Sequence, residues 1–122
     1  MHTGKLQRQG APEPLLTQVS WCDRFFCKLA GLMFRVRLDD GEGLMFVYPT
    51  ATRANATIHM MFMFMSIATI WMDDDFKVVD KAHAKPWRLA YAPSQPARYV
   101  LETHPSLLDQ IEIGDQLEFI PS

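Results

Sequence analysis

The longest apolar run in the chain covers residues 58–72, Ile58-His59-Met60-Met61-Phe62-Met63-Phe64-Met65-Ser66-Ile67-Ala68-Thr69-Ile70-Trp71-Met72, and it is apolar on both faces of any strand drawn through it. Such a run predicts a strand at the centre of the core. It stops at Asp73-Asp74-Asp75, which marks a hairpin tip, and the mixed alternation of residues 76–81 predicts the returning strand. Pro86 breaks that strand. Residues 87–92 and 97–102 flank the Pro93-Ser94-Gln95-Pro96 turn, and the second segment sets Tyr99 and Leu101 on one face and Val100 on the other.

The remaining segments read in the same way. Residues 15–21 predict a first strand. Ser20 and Asp23 have capping-box spacing, and Cys22, Phe25, Phe26 and Leu29 recur at helical intervals, so a short helix is expected over residues 21–30. Gly31 stands where a left-handed cap would end it. Asp39-Asp40-Gly41-Glu42-Gly43 is a turn before a strand over residues 44–48 that Pro49 should close. Residues 105–110 predict one or two helical turns, and Gly114-Asp115 precedes a last short strand. The expectation is a mainly β (α+β) fold: one compact curled sheet or partly open barrel of about seven short strands with two short helices. Residues 1–14, rich in Gly, Pro, Gln and Lys, are expected to be a flexible N-terminal arm, with residues 15–122 as a single domain.

Composition narrows the partners. At 122 residues the chain can bury a core without staples, and a net charge of −2 offers no field to gather nucleic acid. The run at 58–72 is too short to span a bilayer, and no secretory signal is legible, so a cytoplasmic protein with neither nucleic acid nor a membrane as partner is expected. Cys22 and Cys27, if they share a helix, point to different faces and read as core or free thiols of a reducing compartment. Unknown small molecules or proteins remain as partners, and an exposed strand edge is compatible with a homodimer.

Few residues suggest chemistry. His59, Met61, Met63 and Met65 share one strand face, and thioethers with an imidazole suit Cu(I), but methionine is also a common filler of core space. Core packing is the simpler account, so neither metal nor cofactor is expected. His59 is the best single candidate for a functional side chain. Lys85-Pro86-Trp87-Arg88 presents an indole and a guanidinium together after a rigid kink, suited to a small anionic or planar ligand, or simply to an Arg stacked on Trp at the surface. Glu102 is either a general base or half of an ion pair with Arg98 or Arg35. No Ser-His-Asp order, phosphate loop or zinc spacing appears.

Several segments in order resemble the Domain of Unknown Function 192 family. They are Gly31-Leu32-Met33-Phe34-Arg35, Gly41-Glu42-Gly43-Leu44-Met45-Phe46, Ile58-His59, Val78-Val79, Pro86-Trp87-Arg88, Val100-Leu101-Glu102 and Ile113-Gly114-Asp115. The resemblance implies one β-rich domain and supplies no reaction. The branch it most resembles has an Arg, a Pro and an Asp where Phe64, Ser66 and Ala68 stand here, so both members of a charged pair are missing together. Its small-residue turn after the Leu-Glu pair is here His104-Pro105-Ser106. His59, Arg35, Trp87, Arg88 and Glu102 are the family-like polar positions that remain. The expected function is a binding or accessory module with a shallow site at His59, Trp87 and Arg88. The alternatives are a hydrolase or lyase with His59 or Glu102 as general base and Arg88 orienting an anion, and a Cu(I)-handling or protein-interaction role for the methionine strand.

Overall fold

The structure, a computed structural model, describes residues 3–24, 27–28, 31–33, 35–88 and 90–122. Its strands are β1 (Thr3–Arg8), β2 (Leu16–Cys22), β3 (Glu42–Thr52), β4 (Ile67–Met72), β5 (Val78–Ala84), β6 (Ala97–Thr103) and β7 (Leu117–Pro121). They form one mixed sheet in the order β5-β4-β6-β3-β2-β1-β7. Only β2 and β3 run parallel. The sheet is not a closed barrel, but it curls until its two edges touch at one end: Val78 N donates to Asp115 O at 2.9 Å and Leu117 N to Phe76 O at 3.1 Å, so the chain entering β7 meets the start of β5. This is the curled sheet of about seven strands that the sequence predicts.

Burial on both sides of the sheet follows from strand alternation. Leu44, Phe46, Ile67, Trp71 and Val100 face one apolar cluster, and Leu6, Val19, Met45, Ile70, Met72, Tyr99 and Leu101 face the other. β4 lies between β5 and β6 and is buried along its whole length. Trp71 satisfies its indole by donating to Ala56 O at 2.8 Å, which pins the loop after β3 to the core. At the β4–β5 hairpin, Asp73 Oδ1 accepts from Asp75 N at 2.9 Å and Lys77 N at 3.0 Å, so an acidic triplet makes the turn by capping its own backbone.

Four expectations are corrected. Residues 3–8 are no mobile arm: β1 pairs with both β2 and β7, and Leu6 is fully buried. β3 runs through Pro49 to Thr52, and its register against β6 shifts between Val47 and Thr52, where proline has no N–H to offer. The 58–72 run is strand only from Ile67. Before it, Phe62 takes a left-handed backbone (φ 62°) and Met63 N turns back to Met60 O, so Met60 and Met63 enter the core while Phe62 and Phe64 stand exposed. Apolar character alone cannot separate a strand buried on both faces from a turn that inserts every third side chain. Finally, Cys22 and Cys27 are joined in a disulfide, with Cα atoms 5.9 Å apart. They do not share a helix: Cys22 ends β2, whereas Cys27 and Lys28 are helical. Residues 25, 26, 29 and 30 of the expected helix lie outside the described residues. The helical turn expected near residue 105 is a 3₁₀ turn, Pro105–Asp109, capped by the His104 side chain accepting from Ser106 N.

Because β2 and β3 are parallel, residues 23–41 must cross the sheet to rejoin it, and Leu32 and Leu38 hold that crossover against the Leu44–Phe46 face. The crossover roofs the site described next. Among the described residues no helix is long and apolar enough to cross a membrane.

Candidate functional site

Register brings the site together. Glu102 of β6 pairs directly with Leu44 of β3 on one side and with Thr69 of β4 on the other. Directly opposed residues project to the same face, so the Glu102 carboxyl and the Thr69 hydroxyl stand side by side in the middle of the sheet. The face is that of Val100, Phe46 and Tyr48, under the crossover. Glu102 is only 4% exposed, and among the described residues its carboxyl has no hydrogen-bond or ion-pair partner. Thr69 Oγ1 is likewise buried with no partner there. Unpartnered buried polar groups are uncommon, so the two neighbours call for an explanation.

Burial sets the electrostatics. Without a compensating cation, desolvation pushes the Glu102 carboxyl up from its ordinary 4.5 to about 8, so it is protonated at neutral pH and can donate as well as accept. The Tyr48 hydroxyl is raised as well, first by burial and then by the nearby Glu102 charge. The Lys28 ammonium is lowered by desolvation, against the opposing charge of Asp23, and its Nζ lies 4.3 Å from the Tyr48 ring centroid.

Above the carboxyl is a cavity of about 70 Å³, walled by Phe46, Tyr48, Ile58 and Met63, with Lys28, Gly31 and His59 at its borders. Gly31 has φ +50°, and a Cβ there would lie 3.3 Å from Phe46 Cζ and 3.7 Å from Glu102 Oε1. Glycine thus lets the roof descend onto the acid. His59 is exposed and its Nδ1 accepts from Met61 N at 3.2 Å, so a neutral His59 carries its proton on Nε2. Pockets that enclose a whole drug-sized ligand hold about 300–1,000 Å³. This cavity admits two or three waters, or one functional group at the end of a larger molecule.

Of the residues singled out from sequence, His59 and Glu102 share this cavity. Arg35 does not enter it: its Nη2 is 2.7 Å from Glu42 Oε1 on an adjacent groove. Arg98 donates to Tyr48 O at 2.9 Å and lies 3.8 Å from Asp74. The expected ion pair of Glu102 with Arg35 or Arg98 is therefore not formed; each arginine is engaged elsewhere. Trp87 and Arg88 sit on a separate exposed loop, and among the described residues Trp87 meets Phe62 and Phe64, not an Arg88 guanidinium. The methionine face is not assembled: Met63 is buried, Met61 and Met65 are half-buried, and no strand aligns them with His59. Sequence reasoning missed Lys28, Gly31, Tyr48 and Thr69. Tyr48 was within reach, since it shares strand parity with Leu44 and Phe46, but the pairing of Thr69 with Glu102 is a fact of register.

The sequence profile of the Domain of Unknown Function 192 family, described as an uncharacterized ACR, matches residues 6–119. The chain is 39% identical over 104 residues to a UPF0127 protein of Thermococcus sibiricus, which covers 84% of this chain and 66% of that one. It is also 39% identical over 105 residues to a UPF0127 protein of Pyrococcus abyssi, covering 84% and 86%. The chain thus spans just under two thirds of the length of the Thermococcus sibiricus protein. Two crystal structures share the fold at TM-score 0.82. One is a protein of unknown function from Novosphingobium aromaticivorans, at 23% identity over 95% of this chain and 84% of that one. The other is described as a putative transcription regulator from Sinorhizobium meliloti, at 19% identity over 97% and 92%. At these identities the likeness establishes the fold alone.

Proposed function

The chain belongs to the Domain of Unknown Function 192 family, and we propose that it is a binding module whose site is the cavity over Glu102. The observation that carries this reading is the buried, protonatable Glu102 carboxyl, which has no partner among the described residues, at the floor of the cavity and beside the Thr69 hydroxyl, likewise unpartnered among them. A neutral carboxylic acid offers one donor and one acceptor, the complement of an uncharged hydroxyl or primary amide. A carboxylate ligand finds no charge to meet on the cavity floor, and Lys28 at the border disfavours a cation. His59 rims the opening; Trp87 and Arg88, on the neighbouring loop, do not line it. Small uncharged probes test the reading. In ¹⁵N-labelled, oxidised protein, glycerol or acetamide should shift the Gly31, His59 and Glu102 amide resonances near pH 6, less near pH 9, and not at all in a folded Glu102→Leu variant. If neither probe moves those resonances, or if methylammonium moves them more as pH rises, the site does not bind uncharged polar groups.

One observation favours a second reading. A carboxyl that exchanges its proton close to neutral pH suits a general acid or base, and His59 borders the same cavity. Arg88 lies off the cavity and has no part in this version. Turnover of an activated ester such as p-nitrophenyl acetate, rising through about pH 8 and abolished in Glu102→Gln, would mark an enzyme; equal rates in the two proteins would dismiss it. As for location, the Cys22–Cys27 disulfide supports an oxidising compartment over the cytoplasm expected from sequence.

A further inference from the structure

Independently of the cavity, the two loops before β4 and after β5 carry a second feature. Their backbones are stitched together: Trp87 N donates to Met60 O at 2.7 Å and Met60 N to Arg88 O at 2.9 Å. On this base Phe62, Phe64 and Trp87 stand 45%, 52% and 48% exposed. Their rings pack edge to face, with centroids 5.3 Å (Phe62 to Trp87) and 5.8 Å (Phe64 to Trp87) apart. Phe62 and Trp87 both adopt left-handed backbone, φ 62° and 66°, a conformation that bulky side chains disfavour. Two strained residues that hold large aromatics toward water suggest that the exposure serves a purpose.

Charge indicates what the surface meets. Residues 53–72 and 81–101 contain no aspartate or glutamate, although the chain as a whole is net negative. Lys85 and Arg88, flanking Trp87, are exposed and have no carboxylate partner among the described residues. An aromatic cluster rimmed by unpaired cations complements an anionic lipid surface, where indole and phenyl rings settle at the headgroup level and cations meet phosphate. We propose that Phe62, Phe64 and Trp87, with Lys85 and Arg88, form a platform that docks on anionic bilayers. The absence of a membrane-spanning segment, which led to the expectation of no membrane partner, does not bear on this mode of contact.

The test is co-sedimentation of the oxidised protein with phosphatidylglycerol/phosphatidylcholine vesicles against phosphatidylcholine alone. Binding to the anionic vesicles is expected, weakened by salt, with a blue shift of tryptophan emission. Trp71 is buried and Trp21 half-buried, so the shift reports Trp87. Each cation should contribute roughly fivefold, so Lys85→Glu/Arg88→Glu should lower partitioning by more than an order of magnitude. Phe62→Ser/Phe64→Ser should abolish the emission shift, with a thermal melt to establish that the variant is folded. The proposal is overturned if the folded wild-type protein stays in the supernatant, or if it sediments but neither double variant changes that. Capture of a second protein that depends on the three aromatics, without vesicle binding, would also overturn it by reassigning the surface to a protein partner.

Discussion

Replacing Glu102 by glutamine should change how the stability of the protein depends on pH, in a direction opposite to that of most carboxylates. A carboxyl whose pKa in the folded state is lowered contributes stability that is lost on acidification. Glu102 is the reverse, raised from 4.5 to about 8 by burial. Below about pH 4.5 it is protonated in both states and makes no pH-dependent contribution. Between that pH and about 8 the unfolded chain releases a proton that the folded chain keeps, so stability falls by about 1.4 kcal/mol per pH unit. The loss reaches about 3 kcal/mol at pH 7 and levels off near 5 kcal/mol above pH 8. Glutamine has the shape of the protonated acid and does not titrate. Urea denaturation of both proteins, followed by tryptophan fluorescence from about pH 5 to about pH 9, isolates the effect, because every other titrating group cancels in the difference. Glu102→Gln should be nearly equal to wild type at the acid end and progressively more stable toward pH 8. A difference that stays constant across this range would show that the carboxyl is neither desolvated nor unpartnered, and would remove the basis of the proposed site.

Other consequences of the structure can be measured directly. Leu6→Ala should cost about 2–4 kcal/mol in urea denaturation, as a fully buried core leucine does; a loss within experimental error would return residues 3–8 to a peripheral arm. Reducing the Cys22–Cys27 disulfide, which closes a loop with a sequence separation of 5, should cost about 2 kcal/mol, read as a lower urea midpoint in dithiothreitol; an unchanged midpoint would mean the bridge restrains nothing in the unfolded chain. Met63→Asp places an unpaired charge in the core and should prevent folding, so a soluble variant that melts cooperatively would refute the burial of Met63.

Much of the sheet was legible because strand alternation and turn chemistry are local. The Asp73-Asp74-Asp75 hairpin, the turn before β6 and the opposite facing of Tyr99 and Val100 all follow from residues within a few positions of one another. Apart from the Cys22–Cys27 disulfide, which joins residues close in sequence, the main failures depended on distant partners. Thr3–Arg8 looks too polar to be core until β2 and β7 cover it. Phe62 and Phe64 look like core until the Met60 backbone, bonded to the loop carrying Trp87, turns back on itself at Met63 and leaves both rings outside. His59 and Glu102 were recognisable as polar residues among apolar neighbours. Their shared cavity was not, because Glu102 was expected to find an arginine, and whether Arg35 reaches Glu42 or Glu102 is decided by tertiary geometry.

The crossover that roofs the cavity has a kinetic consequence. Roof and floor belong to parts of the chain far apart in sequence, since the crossover carrying Gly31 lies over Glu102 of β6. Hairpins such as β4–β5 can close early, within local stretches of chain, whereas β2, β3 and β6 must find one another across long loops, and sheets dominated by such pairings fold in milliseconds to seconds. Sealing Glu102 from water therefore requires these distant pairings to be in place. A form in which β3, β6 and the crossover have not met leaves the acid hydrated, so the return of its displaced titration would time their assembly.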